Sequence, residues 1–466
     1  MMKKNLTKEE VFNQIAYASV MEGRLGLFIG AGFSMAVFDD ETPDLVKSNI
    51  SSKPLSWTAL LEKVCTNLGV QFDQIKKEGV SCPEIASDIC KKIAEKDGIT
   101  QGEAQAKLKN TICKLVSWYP NKDQRNVFAK EIKNLNPSWI VTTNYDLVIE
   151  GLLPDKAKSI RPYEIISCSR EQTPVYHMHG IKTDPNSIVI TNEDYIKLFR
   201  PDEYRQHRLP FLFMESTTLA IGYGVGDTNV LTALDWKENV YQEKGMSTRG
   251  QFIQLAYTDH PKETPYEING IIVIETNSIL NSLREINEYV DKKNKEKNAY
   301  DLIVENIVKY YESLDQDKID EFIDNDEKKN PFVLSINNAP NRVSSLGCTL
   351  LSRVLDRCWQ RCSRDGAFDE YAKLLHVLLY CMKNIQFENL SPALFELIAS
   401  ALGSLAYYVD IDDVSNINSY WGKSRPAKLL WDAEKDNIPS NYIDELKNYA
   451  NGRTWPSDHL SKILDF

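Results

Sequence analysis

The chain is predicted to be an α/β protein: a doubly wound, parallel sheet followed by an all-α C-terminal part. Three observations carry this. Short apolar runs alternate with helical patterns as far as Ile274. A glycine-bearing turn, Gly30-Ala31-Gly32-Phe33-Ser34, follows the first of these runs directly. Beyond Ile274 the strand-like runs stop and amphipathic helical spacing takes over. Strand–helix alternation is the pattern of a parallel sheet with helices on both faces.

The elements follow in order. Thr7-x-x-Glu10 can form a capping box that opens a helix running to Glu22. Leu25 to Ile29 reads as a buried parallel strand. Ala36 to Lys53 is a polar, turn-rich insertion, either a surface loop or a lid. Ser56 opens the next helix, and helical patterns continue to about Asn134. Further strands are expected at Trp139–Thr143, Ser187–Ile190, Thr217–Gly222, Phe252–Ala256 and Gly270–Ile274. Leu280 to Leu314 reads as one or two helices. The charged stretch from Asp315 to Pro331 marks a boundary. The expected domains are therefore 1–315, a linker at 316–330, and a helical domain at 331–466, with amphipathic runs such as Leu374 to Leu379.

Composition narrows the function. A chain of 466 residues is long enough for two or three domains. The net charge of −11 argues against a large phosphate-backbone footprint, which rests on clustered Lys and Arg, so direct nucleic-acid binding is not expected. The nine cysteines form no CxxC, and the closest pair, Cys358 and Cys362, lies in a helical pattern. Free thiols in a reducing, cytoplasmic setting are expected, with no metal site. The start, Met1-Met2-Lys3-Lys4-Asn5-Leu6, has charge but no apolar core of a secretory signal. The longest apolar stretch is too short to span a bilayer, so no membrane is implied.

Three motifs carry the chemistry. Gly30, Ala31 and Gly32 fit the start of a phosphate-binding turn, where side-chain-free backbone can approach a pyrophosphate, and Ser34 can donate to a phosphate oxygen. Position 35 is Met where a dinucleotide fingerprint has Gly or Ala. Thr142-Thr143-Asn144-Tyr145-Asp146 sits at the carboxyl end of the second strand, where open α/β sheets place ligands. Asn144 can bond ribose hydroxyls, a nicotinamide amide or an attacking water. Asp146 can fix Asn144 or cap the following helix. His177-Met178-His179-Gly180 supplies two of only six histidines. His179, at a turn and facing a cleft, is the natural proton acceptor near neutral pH. A metal between His177 and His179 would lack a third ligand. Gly222-Tyr223-Gly224-Val225-Gly226-Asp227 ends a later strand and would either meet the adenosine half of a dinucleotide or start a helix.

In order and wording these segments resemble the SIR2-like family, in its bacterial antiphage-defence NADase branch rather than the zinc-containing deacylase sirtuins. The resemblance covers roughly residues 8 to 290. It joins Gly30–Ser34, Pro54-Leu55-Ser56-Trp57, Thr142–Asp146, His179-Gly180, Ile188–Tyr195 and Ile221–Asp227. It implies a Rossmann-like domain that binds NAD⁺ and hydrolyses it to nicotinamide and ADP-ribose. NAD⁺ is then substrate, not cofactor. Asn144 and His179 are the implied catalytic residues. Gly30, Ala31, Gly32, Ser34, Thr143, Asp146, Gly222, Gly224 and Asp227 are the implied nucleotide contacts. The paired CxxC motifs of the zinc module are missing, which disfavours deacylation. The branch further implies a homo-oligomer, with a second defence protein or a phage component as activator and the C-terminal helices as sensor or assembly domain. The competing reading is a catalytically silent nucleotide-binding subunit of a defence complex.

Overall fold

In the computed structural model the described residues are 6–38, 54–75, 79–118, 120, 122–161, 164, 168–198, 200, 204–224, 228–243, 252–364, 366–409, 421–454 and 459–464. They divide into two compact units, Met1–Lys297 and Asn298–Phe466.

The first unit is built on an eight-stranded sheet. Its strands are β1 (Leu25–Ile29), β2 (Trp139–Thr142), β3 (Ala157–Ile160), β4 (Thr173–His177), β5 (Thr217–Ile221), β6 (Phe252–Tyr257), β7 (Tyr266–Ile268) and β8 (Ile271–Thr276). The order across the sheet is β3-β4-β2-β1-β5-β6-β8-β7. Every pairing is parallel except β7 with β8. That last pair is a hairpin closed by Asn269 and Gly270, both at positive φ, as a tight two-residue turn requires. The chain crosses from β1 to β2 on one side and returns to β5 on the other, so β1 flanks the switch in strand order. Such switch points are where α/β sheets hold ligands.

Strands β1, β2 and β5 are buried along their whole length, which is why they read as unbroken apolar runs. Gly26 of β1 has a steric reason: the Trp139 ring lies 1.9 Å from where its Cβ would stand. Helix Lys8–Tyr17 packs Val11, Phe12 and Ile15 on one sheet face, with the Thr7–Glu10 capping box formed as expected. It continues into a short π-helical segment, Ala18–Glu22. Phe28, Val141, Tyr176, Phe213 and Phe252 form the core of the opposite face.

A third core belongs to the helices between β1 and β2. Helices Trp57–Leu68, Cys82–Asp97 and Gln101–Leu115 bury Leu60, Ile89 and Leu108 together, and Tyr145, Ile188 and Ile190 join them. The helical module thus grips the loops that follow β2 and β4. This corrects the strand expected at Ser187–Ile190. The segment leaves a 3-10 turn, Pro185–Ser187, and its isoleucines enter the helical core instead of the sheet. Conversely, β3 and β4 were not expected from the sequence.

The second unit is helical, as expected, and its boundary differs from the expectation. The division falls at residue 297, inside the long helix Ile279–Glu312. The stretch expected as a linker, 316–330, is helix Gln316–Asp324 and the start of helix Asp326–Asn338. The physical reason is two-sided. Ile319, Phe322 and Ile323 are buried in the unit's core. Asp320 and Asp324 are paired with Arg357 and Arg361 of helix Pro340–Cys362. Charge that reads as a linker is the outer face of an amphipathic helix. Leu374, Leu375, Val377, Leu378 and Leu379 are all buried, as their spacing suggested.

No helix among the described residues is long and apolar enough to cross a membrane.

Candidate functional site

The three motifs meet at the carboxyl ends of β1, β2, β4 and β5. The chain leaves β1 at Gly30, which caps the short helix Ala31–Val37. The Gly30 amide donates to the Ile221 carbonyl at 3.0 Å and the Gly32 amide to the Gly222 carbonyl at 2.8 Å. The two glycine turns therefore interlock backbone to backbone. A Cβ on Gly30 would stand 2.4 Å from the Gly222 oxygen. One on Gly222, whose φ is +62°, would stand 2.0 Å from the Phe33 nitrogen. The glycines are explained by this contact first. Of the turn's amides, Gly30 and Gly32 are spent on the end of β5, while that of Ala31 occupies the first helical position, where the helix itself offers no acceptor. Gly224 has open space around its Cα. Asp227 and residues 39–53 of the insertion lie outside the described residues.

Asn144 is held by the first turn. Its Nδ2 donates to the Gly30 carbonyl at 3.1 Å and to Ser34 Oγ at 3.0 Å. Its own amide donates to Thr142 Oγ1, which in turn donates to the Ile29 carbonyl. The Thr143 amide reaches the Ile29 carbonyl at 3.4 Å. Both amide protons of the side chain are thus committed, and Oδ1 is left as its acceptor. Ser34, expected to face a phosphate, is instead fully buried and donates to Asp146 Oδ2 at 3.1 Å. Its hydroxyl proton goes to the carboxylate because its lone pair already accepts from Asn144.

Asp146 bonds to neither face of Asn144 directly; it reaches Asn144 only through Ser34. It accepts from the Val148 amide, capping helix Val148–Leu152, and it holds Ser34. Burial pushes its carboxyl up to about 6; the bonds from Val148 and Ser34 and the nearby His177 recover only part of that penalty.

His177 ends β4 and is buried. Its Nε2 lies 2.8 Å from Glu150 Oε1 and its Nδ1 3.2 Å from the Asn144 carbonyl. Burial alone would lower its pKa; the bond and charge of Glu150, with the Asn144 carbonyl and Asp146, outweigh it and the net shift is upward. Burial likewise works against the Glu150 carboxylate, yet His177 and Ser159 hold its pKa below the ordinary value. Nothing in the sequence singled out Glu150. Its partner is distant along the chain, and only the β2–β4 pairing brings them together.

His179 does not face an open cleft as expected; it is 1% exposed. The segment after β4 folds over it. The Val189 amide donates to the His179 carbonyl at 2.8 Å, and the Tyr195 ring stands edge-on to the imidazole at 5.6 Å. Gly180, at φ +93°, lets this segment approach, since a Cβ there would meet the Ser187 oxygen at 2.2 Å. The covering segment is anchored by Asp194, which takes Lys109 Nζ at 2.7 Å together with Gln105 and the amides of Ile190 and Thr191. His177 and His179 turn to different partners. Among the described residues no three His, Cys, Asp or Glu side chains are grouped to hold a metal ion.

Comparisons with known proteins bear on part of the chain. Residues 138–274, from the start of β2 into β8, match the family model of the SIR2-like domain. The chain is 24% identical over 205 residues to "Defense-associated sirtuin 2" of Bacillus subtilis. That alignment covers 42% of this chain and 20% of the relative, so the chain spans about a fifth of that protein's length. The β1 turn lies ahead of the family match and is tied to it by the Gly30–Ile221 and Asn144–Ser34 bonds. With the matched segment built on the expected sheet, residues 138–274 are similar to the SIR2-like domain and the chain is similar to a defence-associated sirtuin.

Proposed function

We propose that the chain cleaves NAD⁺ at the nicotinamide–ribose bond with water, releasing nicotinamide, ADP-ribose and a proton, as an effector of antiphage defence. The observation that carries the reading is Asn144. It is held by two donated bonds at the carboxyl end of β2, with its Oδ1 as the remaining acceptor, at the switch point of a parallel sheet.

The bond to be broken already has a cationic leaving group, so the protein needs to orient, exclude bulk water and deliver one nucleophile. In this reading Asn144 Oδ1 positions a ribose hydroxyl or the attacking water. His179 accepts the proton. The Ala31 amide and the open backbone at Gly224 are the nucleotide contacts that the turns leave available, and Ser34 and Asp146 act by holding Asn144. The same reading includes a homo-oligomer, a trigger from a phage component or a second defence protein, and a sensing or assembly role for residues 298–466.

The test is incubation of the purified protein with NAD⁺ and chromatography of the products, beside His179→Ala. Nicotinamide and ADP-ribose from the wild type, with a loss of at least ~100-fold in the variant, is the expected result for a lost general base. A cyclic product would keep the site and change the reaction. Full activity in the variant would remove His179 from the mechanism.

A further inference from the structure

His177 is one of the motif's two histidines, and the reaction above gives it no role. Its ring is buried, and each nitrogen faces a group that only accepts: the Asn144 backbone carbonyl at Nδ1 and Glu150 Oε1 at Nε2. A neutral imidazole carries one proton and can satisfy only one of them. Glu150 Oε1 also accepts from Ser159 of β3, so the carboxylate is braced from a second side. The chain of contacts runs from β3 through Glu150 and His177 into the backbone of Asn144, whose side chain is fixed at its other end by Gly30 and Ser34.

We propose that His177 is a positioning residue: a buried imidazolium, paired with Glu150, that clamps the Asn144 carbonyl and so aims the Asn144 side chain. The proposal rests on the NAD⁺-cleaving reading for its effect on rate, while the clamp itself is a statement about the fold. His177 touches no reacting atom; it acts through Asn144.

A pH dependence follows. The groups facing His177 are Glu150 from helix Val148–Leu152, and the Asn144 carbonyl and Asp146 from the loop after β2. Ser159 of β3 reaches the pair through Glu150. Because the His177 pKa is raised by its two acceptors, the second donated bond persists to higher pH than a free imidazole would allow and is lost as pH climbs through the raised value. Asp146, pushed up to about 6, titrates on the acid side, and its charge and that of His177 favour each other. The activity profile therefore has an alkaline limb set by the His177–Glu150 pair. Neutralising Glu150 moves that limb toward acid.

The experiment uses the full chain as wild type, His177→Gln, Glu150→Gln and Glu150→Asp. Imidazole ¹⁵N spectra of histidine-labelled protein are recorded from pH 6 to 9, with the His177→Gln variant assigning the resonance. Hydrogen exchange is followed over residues 142–148. In the wild type both ring nitrogens of His177 are protonated at pH 7; in Glu150→Gln the ring is neutral there. Both Gln variants speed exchange in 142–148 and leave residues 298–466 unchanged. On NAD⁺, His177→Gln lowers kcat at least ~10-fold with KM within about twofold, the size expected when a positioned group loses its support. Glu150→Gln lowers kcat in the same way, and Glu150→Asp, which keeps the charge, retains most of the wild-type kcat. A neutral His177 at pH 7 in the wild type, or unchanged exchange over 142–148 in His177→Gln, overturns the clamp. If the wild type does not cleave NAD⁺, the functional reading falls, and the spectra and exchange still decide the clamp.

Discussion

Two clusters of charge, one in each unit, are compensated to different degrees; in the helical unit Arg361 is buried while its carboxylate partners stay partly exposed. In the helical unit Arg361 places Nε on Glu370 at 2.6 Å, Nη2 on Asp324 at 2.9 Å and Nη1 on Asp320 at 3.3 Å. Arg357 adds a second donor pair to Asp320 and Lys373 a further cation to Asp324. The Arg357 bond holds the Asp320 carboxyl below its ordinary pKa; Asp324 is lowered too, Arg361 and Lys373 outweighing its burial. In the sheet unit the compensation is incomplete. Asp146 is buried, has no cation bonded to it among the described residues, and is raised to about 6. Glu150 keeps one oxygen, Oε2, buried with no hydrogen-bond partner among the described residues. A network whose members are all matched serves stability; one that retains a desolvation cost at the end of a sheet marks a site.

The comparison breaks most visibly at Arg361. Arg361 is buried and its removal takes the bonds to Asp324 and Glu370, but those carboxylates are partly exposed and Asp320 and Asp324 keep Arg357 and Lys373, so the loss is ~2–3 kcal/mol. Arg361→Ala should lower the stability read from urea unfolding of the chain by that amount, while NAD⁺ turnover per folded molecule stays at the wild-type level. A cost under ~1 kcal/mol would class the network with exposed ion pairs. Next is Gly222→Ala. It combines a positive φ with a Cβ 2.0 Å from the Phe33 nitrogen, so the two turns must part. A loss of at least ~2 kcal/mol is expected in thermal unfolding, together with activity, since Gly30 also holds Asn144. An unchanged Tm would show that the interlock is not what requires the glycine.

An effect of the opposite sign in stability is expected at Asp146. A carboxyl whose pKa rises on folding favours the fold fully below its unfolded value, near 3.8. That advantage is lost as pH climbs through about 6. Above that pH the buried charge costs on the order of 3 kcal/mol, since each tenfold change in proton affinity is worth ~1.4 kcal/mol. Asp146→Asn should therefore raise Tm at pH 8 relative to wild type, with the gain shrinking as pH falls from about 6 and vanishing below about 3.8. The same variant should turn over NAD⁺ more slowly at pH 8, because an amide has one accepting oxygen where the carboxylate offers one to Val148 and one to Ser34. A lower Tm at pH 8 would mean that the two accepted bonds outweigh the desolvation.

The same contrast explains what was legible in the sequence. Strands β1, β2 and β5 are buried on both faces, so composition alone reveals them. β3 and β4 lie toward the edge. Ala157, Lys158 and Ser159 are half-buried, and Pro174 sits inside β4, so neither offers an apolar run. Ile188 to Ile190 offered one and folded elsewhere, because burial in a helical core and burial in a sheet select the same residues. Within the site, Asn144, Ser34 and Asp146 were visible as motif residues, but their bonding was not. Ser34 and the Gly30 and Gly32 amides turned inward because β5 and Asp146 supply acceptors that no local pattern announces. Glu150 was invisible for the same reason. The linker reading failed where charge was counted without noting that Ile319, Phe322 and Ile323 recur at helical spacing.

The central claim is that the incompletely compensated cluster exists to hold Asn144 for cleavage of NAD⁺. The most direct measurement is Asn144→Ala, with NAD⁺ turnover and Tm recorded on the same preparation. The predicted result is a fall in turnover of at least ~100-fold, the scale of losing a positioned polar group in a desolvated site. Stability should fall by only ~1–2 kcal/mol, for the two donated bonds. Turnover at the wild-type rate in a folded Asn144→Ala protein would contradict the claim.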